Sequence, residues 1–259
     1  VKKHGITFGV GLLAGLFGGL IGLGGGLIMI PMLVGLLKLD QCRAHGTSLA
    51  VLIFTGISGA VTYGYHGDVN LTSAMALAFP AVITAAAGAR FADQLPDWKL
   101  KRAFGLFLIC CSALLLLRPL FSGMSGGLPL YVLIAAMILT GAFTGFLSGL
   151  MGVGGGTVMV PAMILLAGFS QHLAQGTALL AMVPTGCVGA YAHWRLNNVA
   201  GDLLFGMVPG ILIGTFLGGS IAQIVPEDPL RWLFVVVAVY MGWRYVRAVK
   251  PEPCGDERP

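Results

Sequence analysis

The chain has 259 residues, of which 57% are hydrophobic and 10% charged, with a net charge of +5 and a mean hydropathy of +0.90. A soluble domain of this length would carry about 25% charged residues and would place its apolar residues in stripes. The composition therefore excludes a soluble domain and predicts an all-α polytopic membrane protein.

The first apolar segment, residues 6 to 37, is too long for one straight helix across a bilayer. Its counterpart in the second half of the chain, residues 129 to 168, would be roughly 60 Å long as a helix, twice the hydrocarbon thickness. Lys2 and Lys3 imitate the start of a signal peptide, but no small-residue cleavage site follows, so we assign this segment to the fold. Both segments must break, and helix propensity is lowest at their glycine clusters.

Three further apolar segments complete each half of the chain, and the two halves are copies of one unit. The segments are 45 to 65, 71 to 90 and 103 to 120, then 175 to 194, 202 to 222 and 231 to 248. Six glycines of Gly15 to Pro31 (GLFGGLIGLGGGLIMIP) recur 130 residues later in Gly145 to Pro161 (GFLSGLMGVGGGTVMVP). We expect a first repeat over residues 1–120, a second over 121–250 and a disordered tail over 251–259.

The broken segment permits two topologies, which the positive-inside rule separates. If the segment crosses the membrane once, with the N-terminus inside, eight of the 15 Lys and Arg residues lie inside. If it is a hairpin that enters and leaves on one side, the second unit is inverted and thirteen lie inside, with Arg118 and Arg231 outside. The charges favour two inverted-topology repeats, each with a re-entrant or discontinuous first segment plus three transmembrane helices. A single broken crossing stays open, because residues 129 to 150 alone could span the bilayer.

The consecutive glycines Gly24 to Gly26 and Gly154 to Gly156 are the strongest candidate site. In the hairpin topology, short helices over about residues 27–37 and 157–167 begin near mid-membrane, and both N-termini point inward. A helix N-terminus exposes unpaired N–H groups and about half a positive charge, and glycine lets a ligand approach closely. Such an arrangement binds an anion without a lysine. Glycines spaced by four, such as Gly11 to Gly19, instead predict close helix packing.

Polar residues of the following helices are the second group of candidates. The substrate-binding candidates are Gly24, Gly25, Gly26, His45, Thr47, Ser48, Gly154, Gly155, Gly156, Gln175 and Thr177, and the gating or pathway candidates are Thr55, Thr185, His193 and Arg195. The hydroxyls of Thr47, Ser48 and Thr177 could instead cap their helices. Those of Thr55 and Thr185 could bond back to their own helix.

Catalytic and metal-binding patterns are absent from the sequence. Asp68 and Asp202 fall in loops, so a proton relay through buried acids is not supported. There is no CxxC, no HExxH and no histidine at metal-ligand spacing, and we expect neither an enzyme nor a cofactor. A membrane potential that is negative inside contributes about 2.3 kcal/mol per charge per 100 mV toward expelling an anion, so export could run without a coupled ion.

These motifs resemble the sulfite exporter TauE/SafE family, also called the toluene sulfonate uptake permease family. The resemblance covers residues 6 to 248 and rests on the paired elements GLGGGLIMIP and GVGGGTVMVP, followed by HGTS and QGTA. It implies an inner-membrane transporter of sulfur-containing anions such as sulfite or organosulfonates. The chain departs from a symmetric pattern at Thr177-Ala178, where the first unit has Thr47-Ser48.

Our hypothesis is a multi-pass permease of the cell inner membrane that moves such an anion past the facing glycine turns, with export as the expected direction. An uptake permease with the same site and a non-transporting membrane subunit are the alternatives. We expect the lipid bilayer and the anion as partners and no nucleic acid, because the basic residues lie in short loops. The sequence leaves homo-oligomerisation open.

Overall fold

The chain is helical throughout the part that is described. The computed structural model describes residues 2–91, 97–121 and 129–247, and within them it has ten helices and no strand. The helices are α1 (Lys2–Ile21), α2 (Gly26–Leu37), α3 (Gln41–Tyr65), α4 (Leu71–Phe91), α5 (Asp97–Phe121), α6 (Leu130–Met151), α7 (Gly156–Leu166), α8 (Gln171–Arg195), α9 (Gly201–Ile224) and α10 (Glu227–Val246). The tail expected over 251–259 lies outside the described residues.

The first apolar segment of each half is broken in two, so that each half contributes five helices. Residues 22–25 separate α1 from α2, and residues 152–155 separate α6 from α7. Both breaks fall at the glycine clusters. Pro31 and Pro161 lie inside α2 and α7 rather than ending them.

α3 and α8 begin earlier than hydropathy indicates. They start at Gln41 and Gln171, four residues before the predicted segments. Ser170 caps α8, since its hydroxyl oxygen accepts the N–H of Leu173 at 3.1 Å. The first turns are polar, and an apolar pattern therefore leaves them out.

The same helix contacts occur twice, with the roles of the two halves exchanged. Gly11, Gly15 and Gly19 of α1 lie against the backbone of Met207, Ile211 and Thr215 of α9. Gly141, Gly145 and Gly149 of α6 lie in the same way against Leu77, Ala81 and Ala85 of α4. A Cβ on Gly15 would lie 2.6 Å from the carbonyl oxygen of Ile211, so glycine permits the close approach. Both helix pairs run parallel, as the increasing residue numbers show.

α3 and α8, the equivalent helices of the two halves, cross at the centre in opposite directions. Gly189, late in α8, lies against Leu49, early in α3. Gly59, late in α3, lies against Leu179, early in α8. Exchanged contacts combined with antiparallel equivalent helices are what a two-fold axis perpendicular to these helices produces.

α1 and α2 form a hairpin. A Cβ on Gly25 would lie 2.6 Å from the carbonyl oxygen of Ala14, so the start of α2 folds back onto α1. The end of α1 lies beside the end of α3, where the Tyr63 hydroxyl donates to the carbonyl oxygen of Gly19 at 2.9 Å. α2 therefore returns toward the end of the bundle at which α1 begins, and α3 starts there after residues 38–40.

The two ends of the bundle differ in charge. The histidine end, named after His45 and His193, holds the starts of α3 and α9 and the ends of α4, α6, α8 and α10; the opposite end is the tyrosine end, named after Tyr63. The basic side chains described at the histidine end are Lys38, Arg43, Arg90, Arg102, Arg195, Arg244 and Arg247. At the tyrosine end the structure describes Arg231, whose guanidinium lies 3.2 Å from the carboxylate of Asp228.

Five helices of the described chain are long and apolar enough to cross a membrane: α3, α4, α6, α8 and α9. In the most apolar 18-residue stretch of each helix, 61% of α3 and 67% of α8 is buried, against 33–39% in the other three helices. α3 and α8 therefore form the centre, and the others surround them. The outer surface carries large apolar side chains such as Phe79 and Phe205, 74% and 83% exposed, which suit lipid. The chain is a multi-pass membrane protein.

Candidate functional site

Two tight glycine turns connect α1 to α2 and α6 to α7. Positive φ angles occur at Gly22 (74°), Gly24 (78°), Gly25 (76°), Gly152 (66°) and Gly154 (84°). L-residues with a side chain rarely adopt this region, so the backbone itself requires glycine there. Gly155 differs from its counterpart Gly25, because its φ of −77° lies in the right-handed region.

The two turns meet at the centre of the bundle. A Cβ on Gly26, the first residue of α2, would lie 2.7 Å from the carbonyl oxygen of Val153 and 2.9 Å from that of Gly152. Gly156, the first residue of α7, lies in the exchanged position against the carbonyl oxygen of Gly22. The start of each short helix therefore contacts the turn of the other half.

The partial positive charges at this centre are those of the two helix starts. Neither α2 nor α7 has a side-chain cap, and both helix starts are buried. Each start carries about half a positive charge. The buried polar side chains of the described residues are those of Thr, Ser, Gln and His, with no Asp, Glu, Lys or Arg among them. An anion placed between the two starts would be attracted by both, with no buried carboxylate to oppose it.

Leu52 and Met182 cover both turns. A Cβ on Gly24 would lie 2.9 Å from Met182 Sδ and 3.2 Å from Leu52 Cδ1, and one on Gly154 would lie 2.5 Å from Leu52 Cδ1. The two side chains occupy equivalent positions near the middle of α3 and α8, and both are buried. These side chains therefore fill the space in front of the two turns. Neither residue could be singled out from the sequence, since both are apolar residues in apolar helices.

Thr47 and Thr177, two predicted contacts, hold the loops that precede neighbouring helices. The Thr47 hydroxyl donates to the carbonyl oxygen of Arg43 at 2.6 Å and accepts the N–H of Ala200 at 3.0 Å. Thr177 Oγ1 accepts the N–H of Asn70, also at 3.0 Å. Ala200 and Asn70 directly precede α9 and α4. Both hydroxyls are engaged by loop backbone, away from the helix starts of α2 and α7.

Ser48 contacts the central turns. Its hydroxyl donates to the carbonyl oxygen of Gly152 at 3.0 Å and lies 3.0 Å from the position of a Cβ on Gly26. Ala178 stands at the equivalent position of the second half and has no hydroxyl. Ser48 thus tethers the second turn to α3, and the first turn lacks this tether.

Thr157 is a further candidate, which was not among the residues predicted from the sequence. It lies in the first turn of α7 and is 1% exposed, and its hydroxyl has no hydrogen-bond partner. Leu27 stands at the equivalent position of α2. The signal was available, because a polar residue follows one glycine triplet where an apolar residue follows the other.

Gln175, a predicted contact, joins the two halves at the tyrosine end. The Tyr63 hydroxyl lies 2.9 Å from both the carbonyl oxygen of Gly19 and Oε1 of Gln175. Nε2 of Gln175 donates to the carbonyl oxygen of Ile21 at 3.0 Å. The end of α1 is therefore held between α3 and α8.

His193 and His45 occupy the equivalent positions at the histidine end. Nε2 of His193 lies 2.9 Å from the carbonyl oxygen of Gly149, in the last turn of α6. A Cβ on Gly152 would lie 2.9 Å from that of His45. The two histidines flank the turn between α6 and α7 rather than the starts of the short helices.

The remaining pathway candidates lie apart from the turns. The hydroxyls of Thr55 and Thr185 bond back to their own helices, to the carbonyl oxygens of Val51 at 3.5 Å and Ala181 at 3.0 Å. Arg195 is exposed at the end of α8. The structure thus brings Ser48, His45 and Gln175 against the two glycine turns, and it distributes the other predicted residues around them.

A second polar region lies at the histidine end. A groove of about 540 Å³ between α2 and α10 is lined in part by Arg244 and Arg247. The guanidinium of Arg247 stacks on the Trp243 ring at 3.8 Å. This open basic groove is the alternative place for an anion.

Comparison with known proteins identifies the family. A family model described as sulfite exporter TauE/SafE matches residues 7–251. The chain belongs to the sulfite exporter TauE/SafE family. Among relatives, it is 30% identical to the probable membrane transporter protein YunE of Bacillus subtilis, over 92% of this chain and 95% of that protein. It is also 29% identical to a probable membrane transporter protein of Xylella fastidiosa, again over 92% and 95%.

The TauE/SafE similarity extends to an archaeon. The probable membrane transporter protein MJ0441 of Methanocaldococcus jannaschii is 26% identical, over 90% of this chain and 91% of its own length. No solved structure shows significant similarity to the chain. These relatives are named as transporters, so the family and the multi-pass fold indicate a membrane transporter rather than an enzyme.

Proposed function

We propose that this TauE/SafE family member is an inner-membrane permease that exports a small sulfur-containing anion, sulfite or an organosulfonate, by alternating access. The observation that carries the proposal is the pair of buried, uncapped helix starts of α2 and α7, each in contact with the turn of the other half. Transporters with broken helices commonly direct helix N-termini at anionic substrates near the midplane. The family description as a sulfite exporter supports the substrate class and the direction.

In this proposal, the anion binds the main-chain N–H groups at Gly24 to Gly26 and Gly154 to Gly156. The hydroxyl of Thr157 donates a further hydrogen bond, because it is buried in the first turn of α7 and has no partner in the protein. Sulfite and sulfonate groups each present three oxygen acceptors, which suits donors that converge from two sides. Hydrogen bonds to a charged acceptor are about twice as strong as neutral ones.

The histidine end is proposed to face the cytoplasm. Seven basic side chains are described at this end, whereas Arg231 at the tyrosine end is paired with Asp228. Cytoplasmic loops of membrane proteins carry an excess of Lys and Arg. The two halves are then inverted relative to each other across the membrane, with residues 1–120 and 121–250 as the repeats.

Alternating access is supported by an asymmetry between the two short helices. α7 contacts α5 beside a groove of about 330 Å³, whereas the groove between α2 and α10, the equivalent pair, is larger at about 540 Å³. Because most helix contacts are exchanged between the halves, the opposite asymmetry is a second available arrangement. Leu52 and Met182 cover the site in the present arrangement, so each has to swing away when its side opens.

The proposal is tested first by substrate binding to the purified protein. Thermal unfolding is measured with sulfite, sulfate, sulfoacetate and taurine, and one anion class should raise the melting temperature in a saturable way. Equal responses to all four would contradict a selective site. Flux of the selected anion is then measured in proteoliposomes of known orientation, where outward movement from the histidine end supports export and the reverse supports uptake.

A matched pair of threonine variants locates the site. Thr157→Val removes the proposed donor without changing volume, and we expect the anion affinity to fall about 10-fold or more, as for a lost hydrogen bond to a charged group. Thr215 of α9 is the control, since it is also buried with a hydroxyl that has no partner. Thr215→Val should bind like the unmodified chain. Equal anion affinity in all three proteins would show that Thr157 does not contact the anion.

A further inference from the structure

Two histidines are buried together at the end of α6. His193 is 1% exposed and His45 is 5% exposed. His193 bonds to the carbonyl oxygen of Gly149, and His45 packs against Gly152, which directly follows α6. Ionisable side chains within membrane-spanning helices are costly and are functional by default.

At the opposite end, the equivalent contact with the end of α1 is made without histidine. Tyr63 and Gln175 stand at the positions equivalent to His193 and His45, and they are joined by a hydrogen bond of 2.9 Å. Tyr63 also bonds to the carbonyl oxygen of Gly19, the counterpart of Gly149. A phenol and an amide hold this end without a group that titrates near neutral pH, whereas an imidazole does titrate there. The histidines therefore add proton binding to a contact that the fold makes without it.

Two helix ends at the pair favour a positive charge and offset part of the cost of burying it. A carbonyl oxygen can only accept, so Nε2 of His193 carries its hydrogen and Nδ1 is the nitrogen that takes up a second proton. His193 lies in the last turn of α8 and against the last turn of α6, and the C-terminal ends of helices favour a cation. Two adjacent imidazolium ions would repel each other, so the pair holds a single added proton.

No charged side chain described nearby replaces this proton. The charged side chains described at this end are all exposed: Lys38, Asp40, Arg43, Arg90, Arg102, Arg195, Asp202, Arg244 and Arg247. The last turns of α6 carry none. A proton on the pair would therefore be a buried positive charge at an end where the described charged side chains are exposed.

The pair is connected to the turn that leads into α7. Gly152 begins this turn, contacts His45 and accepts the hydroxyl hydrogen bond of Ser48. We propose that His45 and His193 together bind one proton from the cytoplasmic solution and that this proton strengthens anion binding at the central turns, an inference that rests on the proposed anion site. By reciprocal linkage, a bound anion raises the affinity of the pair for the proton by the same factor.

The test compares the pH dependence of sulfite binding in three full-length proteins between pH 5.5 and 8.5. The variant His45→Gln/His193→Tyr installs the residues of the tyrosine end, so its packing has a precedent within the same chain. The control is His172→Gln, because His172 also lies near a carbonyl oxygen, that of Ala222 at 2.9 Å, but far from the pair in the fold. Sulfite itself titrates in this range, and comparison at each pH cancels that effect.

The affinity of the unmodified chain should weaken from pH 5.5 to 8.5 by about 5- to 100-fold more than that of the double variant, the usual range of coupling between sites. His172→Gln should follow the unmodified chain. Binding of sulfoacetate, which stays ionised throughout, should also draw up to one proton per chain from weakly buffered solution at pH 7, and this readout needs no variant. If the double variant does not fold, His45→Gln alone replaces it.

Two results would overturn the inference. Identical pH profiles for the unmodified chain and the folded variant would show that the histidines only tether α6. Binding of sulfoacetate without proton uptake would show the same. Either result leaves the anion site in place, whereas a chain that binds no anion at any pH contradicts the proposed function instead.

Discussion

The tyrosine end and the histidine end of the bundle are built on one framework and carry different chemistry. At the first, Tyr63 and Gln175 hold the end of α1 through a phenol and an amide. At the second, His193 holds the end of α6 at the same distance of 2.9 Å. The backbone contacts are matched because each half packs on the other, and a change of main-chain path in one would break its partner. Side chains are not constrained in this way, so the two ends can carry different side chains, each suited to the solution that the end faces.

At the centre of the bundle, too, the backbone contacts match while the side chains differ. The two glycine turns contact each other in exchanged form, yet Thr157 follows one and Leu27 the other. Ser48 likewise bonds to the second turn, and Ala178 cannot repeat the bond. In the proposed site, a single anion between the turns therefore meets unlike side chains on its two sides.

We expect the largest difference in stability between variants of the equivalent glycines Gly25 and Gly155. Gly25→Ala places a side chain at φ 76°, with its Cβ 2.6 Å from the carbonyl oxygen of Ala14, and should cost about 2–5 kcal/mol of stability. Gly155→Ala has a φ of −77°, and its nearest neighbour is the flexible end of Met159 at 3.0 Å. We expect it to cost less than about 1 kcal/mol. Unfolding of both variants in the same detergent checks this, and equal losses would contradict the difference in backbone.

Thr47 and Thr177 should instead behave alike. Thr47→Val leaves the N–H of Ala200 without its acceptor, and Thr177→Val does the same to Asn70. Each variant should lose about 1–3 kcal/mol, the cost of an unsatisfied donor. Thr185→Val is the control, because its hydroxyl bonds only to a carbonyl oxygen of its own helix. A large loss in only one of the first two variants would show that the two halves are not equivalent at the loops.

A smaller effect is expected for Tyr63→Phe at the tyrosine end. The variant keeps the ring and removes the hydroxyl that bonds to Gly19 and Gln175. It should destabilise the protein by about 0.5–1.5 kcal/mol, the net worth of a hydrogen bond. The loss should be the same at pH 6 and pH 8, which unfolding at both values measures. A stability loss that differs between pH 6 and pH 8 would show that a group at the tyrosine end titrates as well.

The smallest effect is expected at Cys187, which is exposed on α8 where the first half has Ile57. Cys187→Ser should change stability by less than about 0.5 kcal/mol, as surface substitutions do. Anion flux in proteoliposomes should also stay the same. A loss of flux would assign the thiol a contact with the substrate that its exposed position does not indicate.

Much of the framework could be predicted from the sequence, because hydropathy and glycine spacing report on it directly. The segments expected at 71 to 90 and 202 to 222 correspond closely to α4 (Leu71–Phe91) and α9 (Gly201–Ile224). The breaks fall at the glycine clusters, since glycine is required where φ is positive. The starts of α3 and α8 were missed, because their first turns are polar and fall outside the apolar pattern.

Side-chain partners could not be predicted, because they come from distant parts of the chain. Thr47 bonds to the backbone of Ala200, and Thr177 to that of Asn70, across more than one hundred residues in each case. The cover formed by Leu52 and Met182 is equally invisible in the sequence, since both are ordinary residues of an apolar helix. The predicted anion contacts themselves stay a proposal.

The most direct test of the central claim is the position of a bound anion. Selenite, which replaces the sulfur of sulfite by selenium, is introduced into crystals of the protein, and its anomalous scattering locates the ion. We expect one peak per chain between the first turns of α2 and α7, within hydrogen-bonding distance of the main chain at Gly26 and Gly156. A peak in the groove beside Arg244 and Arg247, with none between the glycine turns, would contradict the account.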